Sequence, residues 1–103
     1  KIGEGAFANV SGLKTIIIPG TVKEICNKAL SNNATLEKVI IKDGVEKIGN
    51  EAFRECTNLK EINLPDSINY IGDLGFYYCT NLKEITIPPK VESIQGWTFC
   101  RRL

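Results

Sequence analysis

The sequence predicts an α/β repeat solenoid, in which coils of 23 residues stack into a curved body. The segment LKEINLP at residues 59–65 reappears as LKEITIP at 82–88, and in looser form at 13–19 and 36–42. The four segments start 23 residues apart, without insertions. Self-similarity at one fixed period is the sequence signature of stacked repeats. We expect a parallel β-sheet on one face of the stack and short helical turns on the other.

Aligning the repeats brings similar residues to equivalent positions, which we call ladders. Stacking of equivalent apolar residues buries a continuous core. The isoleucine ladder comprises Ile2, Ile25, Ile48, Ile71 and Ile94. The mainly aromatic ladder comprises Phe7, Leu30, Phe53, Phe76 and Phe99. A mixed ladder comprises Val10, Asn33, Cys56, Cys79 and Arg102. We expect the isoleucine and aromatic ladders to fill the interior.

The first element of each repeat is predicted to be a β-strand. Residues 16–18 and 39–41 are runs of β-branched side chains, which suit a pleated surface. Because side chains alternate along a strand, Ile16 and Ile18 should face the core and Ile17 the solvent. Prolines follow three of the four strands and end them, since proline cannot donate to the sheet. A second extended corner should follow, and successive strands should stack in parallel.

The last element of each repeat is predicted to be a short helical turn. Ala52, Phe53 and Cys56 are spaced three and four residues apart, which would place them on one helical face. Polar residues stand where an N-cap oxygen would accept backbone N–H groups. These residues are Asn27, Asn50 and Asp73. Gly49 and Gly72 precede two of the turns and indicate positions with no room for a side chain.

The pattern I-G-x-x-A-F-x-x-C-x-x-L-x-x-I-x-I-P-x-x-V resembles the leucine-rich repeats of BspA-type surface proteins. The best-matching repeat contributes Ile48, Gly49, Ala52, Phe53, Cys56, Leu59, Ile62, Leu64, Pro65 and Ile68. Departures include Cys26 in place of glycine, Asn33 in place of cysteine and Lys42 in place of proline. The resemblance implies a leucine-rich-repeat solenoid of a bacterial or protist cell-surface or secreted protein. It also implies adhesion to host matrix proteins, a function of some members.

Length and composition fit one domain spanning residues 1–103, with about four and a half repeats. The first residues already lie inside a repeat, so we expect a fragment of a longer chain. The formal net charge of +1 provides no general attraction to nucleic acid or to an anionic membrane. No apolar run approaches membrane-spanning length. We therefore expect no nucleic-acid partner, no membrane insertion and no cofactor.

Catalytic chemistry has little support in this sequence. Histidine is absent, which removes Ser-His-Asp triads and most zinc sites. Glu61 and Glu84 could form the carboxylate pair of a hydrolase, but we favour a solvated acidic row offset by Lys38 on the adjoining strand. Cys56 and Cys79 could form a disulfide, act as reactive thiols or fill the core as buried reduced thiols. Their apolar neighbours favour the buried thiols.

The exposed side of the strands is the expected binding surface, because solenoids present an extended concave face. We predict that a protein partner contacts Ile17, Lys38, Ile40, Glu61, Asn63 and Glu84. Ile17 and Ile40 are apolar where solvent is expected, which can mark a partner site. A second group off the core ladders comprises Tyr70, Tyr77, Tyr78 and Trp97. Tyr77 is its best candidate for an interface anchor, and the alternative is that these rings cover the convex side or the end of the stack.

The favoured function is that of a non-enzymatic protein-interaction module. The alternative is a structural spacer that carries another domain and has no ligand of its own. An enzyme is disfavoured because repeats of one length offer no pocket-forming insertion. Both ends of the chain lie in mid-pattern without a polar capping unit, which predicts either further repeats or end-to-end self-association of two copies.

Overall fold

The computed structural model describes residues 1–91 of the 103-residue chain. This part contains six short strands, which alternate between two parallel sheets. The first sheet comprises β1 (Thr15–Ile18), β3 (Lys38–Ile41) and β5 (Glu61–Ile62), in that order. The second sheet comprises β2 (Glu24–Ile25), β4 (Lys47–Ile48) and β6 (Tyr70–Ile71). The chain passes from one sheet to the other and back, which is the path of a solenoid with a strand and an extended corner in each coil.

Equivalent residues of successive repeats face each other in both sheets. In the first sheet, Thr15 lies opposite Lys38, which lies opposite Glu61. Hydrogen bonds between neighbouring coils also join residues 23 positions apart, such as the bond from the Asn50 N–H to Asn27 Oδ1. This in-register pairing stacks like side chains on one another, so one row of the surface carries one position of the repeat.

The apolar ladders fill the interior between the sheets and the turns. Leu30 and Phe53 are fully buried and Phe76 is 2% exposed. The rings of Phe53 and Phe76 stack with centroids 5.5 Å apart and planes 5° from parallel. The first repeat departs from the prediction, because Phe7 is 42% exposed and Val10 is 37% exposed. Each coil is covered by its neighbours, and none of residues 1–91 packs on the outer side of this first coil.

The segments predicted as short helical turns are not helical, since residues 1–91 contain no helix. Their N–H groups bond instead to carbonyls of the next coil. Leu30 N–H donates to the Ala52 carbonyl at 2.9 Å, and Phe53 N–H donates to the Gly75 carbonyl at 2.9 Å. A helix needs these donors for carbonyls four residues back in its own chain segment. The turn side therefore adds a third set of hydrogen bonds along the stack.

Two ladders on the turn side adopt a left-handed backbone conformation. One comprises Gly5, Lys28, Glu51 and Leu74, with φ between 57° and 63°. The other comprises Asn9, Asn32, Glu55 and Tyr78, with φ between 58° and 62°. Glycine and asparagine adopt this conformation readily, whereas other residues incur a steric cost of about 1–2 kcal/mol each. The turns thus hold several strained residues at fixed positions of the repeat.

The polar residues expected to cap helices bond between coils instead. Asn50 N–H donates to Asn27 Oδ1 at 2.9 Å, and Asp73 N–H donates to Asn50 Oδ1 at 2.9 Å. Each side chain therefore receives the N–H of its own counterpart in the next coil. The expectation for Gly49 is confirmed, because a Cβ there would lie 2.8 Å from Asn27 N.

The strand predicted in the fourth repeat does not form, and residues 82–88 have irregular secondary structure. The preceding strand β5 is itself only two residues long. The Asn63 side chain, rather than its backbone, bonds to Ile41 of β3, and Pro88 and Pro89 have no N–H to donate. The coil path nevertheless continues, since Leu82 is 2% exposed in the core.

Candidate binding surface

The outward side chains of the first sheet form one exposed surface, which we call the strand face. Its polar row contains Thr15 and the charged residues Lys38 and Glu61, and its apolar row contains Ile17 and Ile40. Ile17 is 58% exposed and lies opposite the half-buried Ile40. An apolar pair in this position contributes little to the core and leaves a hydrophobic contact open to another molecule.

Ion pairs run across the strand face between neighbouring strands. Lys38 Nζ lies 4.0 Å from Glu61 Oε1, and Lys14 Nζ lies 3.9 Å from Glu37 Oε2. Both pairs are exposed, so each contributes little to stability. The contact between Lys38 and Glu61 agrees with the charge-paired interpretation of this acidic row.

A shallow hollow of about 840 Å³ lies on the strand face over the second, third and fourth repeats. It is lined by five residues of the predicted partner site, namely Lys38, Ile40, Glu61, Asn63 and Glu84. Ile17 lies beside the hollow, on the strand that pairs with Ile40. The structure therefore brings six of the seven predicted residues onto one continuous surface.

Asn63 serves the fold as well as the surface. Ile41 N–H donates to Asn63 Oδ1 at 2.8 Å, and Asn63 Nδ2 donates to the Ile41 carbonyl at 2.6 Å. The Asn63 side-chain amide thus makes the two hydrogen bonds to Ile41 that the backbone of a longer β5 strand would otherwise make to β3. A partner would therefore meet Asn63 as a fixed polar group.

Tyr77, the seventh predicted residue, lies on the turn side and apart from the strand face. Its ring centroid is 4.4 Å from that of Tyr78, and the Arg54 guanidinium lies 5.4 Å from its centroid. Tyr77 and Tyr78 are both half-buried, whereas Tyr70 on β6 is 40% exposed. Trp97 lies outside the described residues. The tyrosines are thus divided between the second sheet and the turn side.

Cys56 and Cys79 are buried free thiols, as their apolar neighbours predict. Cys56 Sγ donates to the Leu30 carbonyl at 3.2 Å, and Cys79 Sγ donates to the Phe53 carbonyl at 3.0 Å. Burial raises the pKa of the Cys56 thiol to about 11. Burial, together with the nearby Cys56, also raises the pKa of the Cys79 thiol. Both groups stay protonated at neutral pH, which makes them poor nucleophiles.

Asn33 occupies the same ladder as these cysteines, and its side chain likewise donates to backbone carbonyls. Its Nδ2 donates to the Phe7 and Leu30 carbonyls, both at 2.8 Å. Asn33, Cys56 and Cys79 therefore share a buried hydrogen-bond donor at this position, whereas Val10 in the exposed first coil has none. Sequence reasoning missed this role, although the mixture of asparagine and cysteine at one position was its signal.

Residues 1–91 contain no group of three or more cysteine, aspartate or glutamate side chains arranged to hold a metal ion. They also contain no helix of the length and apolar character needed to cross a membrane.

Comparison with known proteins places this geometry in a family. Residues 1–102 match the model of the BspA type leucine rich repeat region. The chain is similar to a solved leucine-rich repeat protein of T. pallidum, with 28% identity over 81% of this chain and a TM-score of 0.75. A leucine-rich repeat protein of Bacteroides ovatus is 25% identical over 87% of this chain, with a TM-score of 0.44.

The chain spans 41% of the length of each of these two solved proteins. Among curated proteins none matches it. The extent of the family match, the parallel sheets and the stacked apolar ladders agree with one another. The chain belongs to the BspA-type leucine-rich repeat family.

Proposed function

We propose that this chain is a non-enzymatic protein-interaction module that binds its partner on the strand face. Leucine-rich repeats are generally protein-binding modules, which supports an interaction role at the family level. The observation that carries the proposal is the exposed Ile17 beside Ile40, continuous with the hollow that contains Lys38 and Glu61. Apolar contacts flanked by charged groups are the usual composition of such interfaces.

The partner we propose is a host matrix protein, met at the cell surface or after secretion. This part of the proposal rests on the resemblance of the repeats to BspA-type surface proteins. The chemistry of the strand face is compatible with it, since an apolar pair and both signs of charge suit an extended protein segment. Lysines at positions 38, 60 and 83 line the hollow together with Glu61 and Glu84.

The test is capture of fibronectin and fibrinogen by the purified chain, measured by surface plasmon resonance. Substituting Ile40→Ala and Glu61→Ala together should weaken capture by about tenfold or more, equal to about 1.4 kcal/mol of binding free energy. The control is Lys23→Ala with Glu46→Ala, two exposed residues that precede β2 and β4. Circular dichroism melting of all three chains separates a binding defect from unfolding.

Equal capture by the strand-face variant and the wild type would remove this surface from consideration. Saturable capture of neither matrix protein by the wild type would favour the structural spacer.

We also infer that the unit of construction is one coil of 23 residues. The pairing of Thr15 with Lys38 and of Lys38 with Glu61 supports this period, as do the equally spaced bonds from Asn50 to Asn27 and from Asp73 to Asn50. The partner surface would then grow by one row for every coil.

A further inference from the structure

A second surface, on the second sheet and not the first, carries a polar depression of about 450 Å³. We call it the amide trough. It lies along the second sheet and the corner that follows it. Its lining includes Glu24, Asn27, Lys47, Asn50 and Tyr70. Its size falls within the range of small-ligand sites.

The two asparagines of the amide trough have fixed orientations. Asn27 Oδ1 accepts the Asn50 N–H, and Asn50 Oδ1 accepts the Asp73 N–H, both at 2.9 Å. Because each oxygen is held against the backbone, each Nδ2 group is directed away from it. None of residues 1–91 accepts a hydrogen bond from either Nδ2 group. The trough therefore holds two preoriented amide donors, one per coil.

The outward row of the second sheet adds a carboxylate acceptor, an ammonium group and an aromatic ring to the trough. Glu24 lies opposite Lys47, and Lys47 lies opposite Tyr70 in the second sheet. Tyr70 is 40% exposed. Within the described part of the chain, Glu24 and Lys47 take part in no ion pair. Their charged groups remain available to a ligand.

We propose that the amide trough binds the sugar units of a glycan. A sugar ring offers an apolar C–H face, which the exposed Tyr70 ring would cover. Its hydroxyl groups both donate and accept, so they match the Asn27 and Asn50 donors and the Glu24 carboxylate together. Successive coils are about 4.8 Å apart, which sets the two amides at a spacing comparable with the width of one sugar ring.

A peptide fits the amide trough less well. An asparagine recognises a peptide group through both its oxygen and its nitrogen, but the oxygens of Asn27 and Asn50 are already bonded to backbone. Tyr70 is also the one large apolar side chain among the residues that line the trough, so a peptide side chain would find no pocket.

The experiment uses the complete purified chain on a printed array of neutral and anionic glycans. Asn27→Asp with Asn50→Asp keeps the oxygens that accept the backbone N–H groups and removes both amide donors. Aspartate already occupies this ladder at position 73, and the repulsion between the stacked carboxylates is measured as the change in melting temperature. Asn32→Asp with Asn58→Asp, outside the trough, controls for the added charge. Tyr70→Ala removes the stacking ring, and Tyr70→Phe retains it.

We expect the wild type to bind at least one class of glycan on the array. The Asn27→Asp/Asn50→Asp and Tyr70→Ala variants should lose about tenfold or more in affinity while remaining folded at the assay temperature, as checked by circular dichroism melting. Tyr70→Phe and the Asn32→Asp/Asn58→Asp control should bind within about twofold of the wild type. The strand-face variant Ile40→Ala/Glu61→Ala should bind glycan normally, so the result is independent of the proposed matrix-protein partner.

Absence of glycan binding at protein concentrations up to about 1 mM would overturn the proposal, since weaker affinities supply less than about 4 kcal/mol. Normal glycan binding by both trough variants would also overturn it. Loss of fibronectin or fibrinogen capture in the trough variants, without any glycan binding, would assign this surface to a protein partner instead.

Discussion

At the scale of single residues, the mixed ladder shows how a repeat reuses one position. Asn33, Cys56 and Cys79 each donate to a backbone carbonyl of the preceding coil. The Leu30 carbonyl also accepts from Asn33 Nδ2 and the Phe53 carbonyl from the Cys56 N–H, so each thiol adds a further hydrogen bond worth about 1 kcal/mol. Cysteine and asparagine differ in shape and chemistry, but both supply the required hydrogen. These three coils therefore share a side-chain donor at this position and not a residue type, while the exposed first coil carries Val10 there.

The buried thiols should make the protein sensitive to alkaline pH. Burial raises the pKa of Cys56 from an ordinary value of 9.0 to about 11. Above pH 9 the thiol ionises in the unfolded chain but stays protonated in the folded one, which favours unfolding. The stabilising contribution is complete below pH 9 and is lost as the pH rises to about 11. For Cys56 the loss is roughly 3 kcal/mol.

Urea unfolding in a reducing buffer at pH 7, 9 and 10.5 measures this effect. The matched variant is Cys56→Ser with Cys79→Ser, because serine keeps a donor for the carbonyl and does not titrate in this range. Its free energy of unfolding should fall less steeply with pH than that of the wild type. Parallel curves for the two proteins would contradict the assignment of high thiol pKa values.

The sequence predicts the burial of Cys56 and Cys79 because their neighbours in the alignment are apolar. It does not predict the role of Asn33, because in the sequence this residue is only a polar side chain in a buried ladder. The structure shows that its Nδ2 donates to the Leu30 carbonyl at 2.8 Å. The orientation of Asn27 and Asn50 is hidden for the same reason. Which atom of an amide faces solvent depends on a backbone N–H in the next coil, and a linear pattern does not contain that contact.

At the scale of elements, the strands of the first three repeats follow from the sequence, whereas the fourth strand and the turns do not. Alternation of side chains correctly separates Ile17 from the buried Ile18. The spacing of Ala52, Phe53 and Cys56 predicts one buried face, and all three are fully buried. That spacing is common to a helix and to consecutive tight turns. The choice between them depends on hydrogen bonds to the next coil, such as that from Leu30 N–H to the Ala52 carbonyl.

The left-handed turn positions allow a direct test at this scale. Lys28 has φ of 60°, and Gly5 occupies the same ladder. We expect Lys28→Gly to be more stable than Lys28→Ala by about 1 kcal/mol, because glycine avoids the steric cost of this conformation. Both variants lose the same exposed ion pair with Glu51, so the comparison isolates the backbone.

Lys47 on β4 provides the control, since it lies in a strand and not among the residues of positive φ. Lys47→Gly should be less stable than Lys47→Ala by about 0.5–1 kcal/mol, because glycine loses more conformational freedom when the chain folds. Thermal unfolding of the four variants resolves these differences as shifts of several degrees. The same order of stability at both positions would argue against a left-handed turn at Lys28.

At the scale of the whole molecule, stability and recognition both come from the stack. Each coil buries its apolar ladder against its neighbours, so stability is shared among adjacent coils. The strand face and the amide trough arise from different sheets of the same coils. The sequence predicts that the residues of the strand face lie together, because strand alternation and the repeat pattern bring them to one surface. Tyr77 could not be located in this way, since its position depends on the path of the turns.

The stack also makes a prediction about length that distinguishes a coil of 23 residues from any other unit. Deleting residues 37–59 joins Leu36 to Lys60 and removes one full coil, after which every remaining ladder is still in register. Such a chain should fold cooperatively with lower stability, because it loses one interface between coils. Its free energy of unfolding should depend less steeply on urea concentration, in proportion to the smaller buried surface.

Deleting residues 37–58 instead leaves one extra residue and reverses the inward and outward faces of the strand that follows. That chain should unfold without a cooperative transition or populate a partly folded state. Circular dichroism during urea titration reports both outcomes, and equal cooperativity in the two deletions would show that the stack does not depend on a fixed coil length.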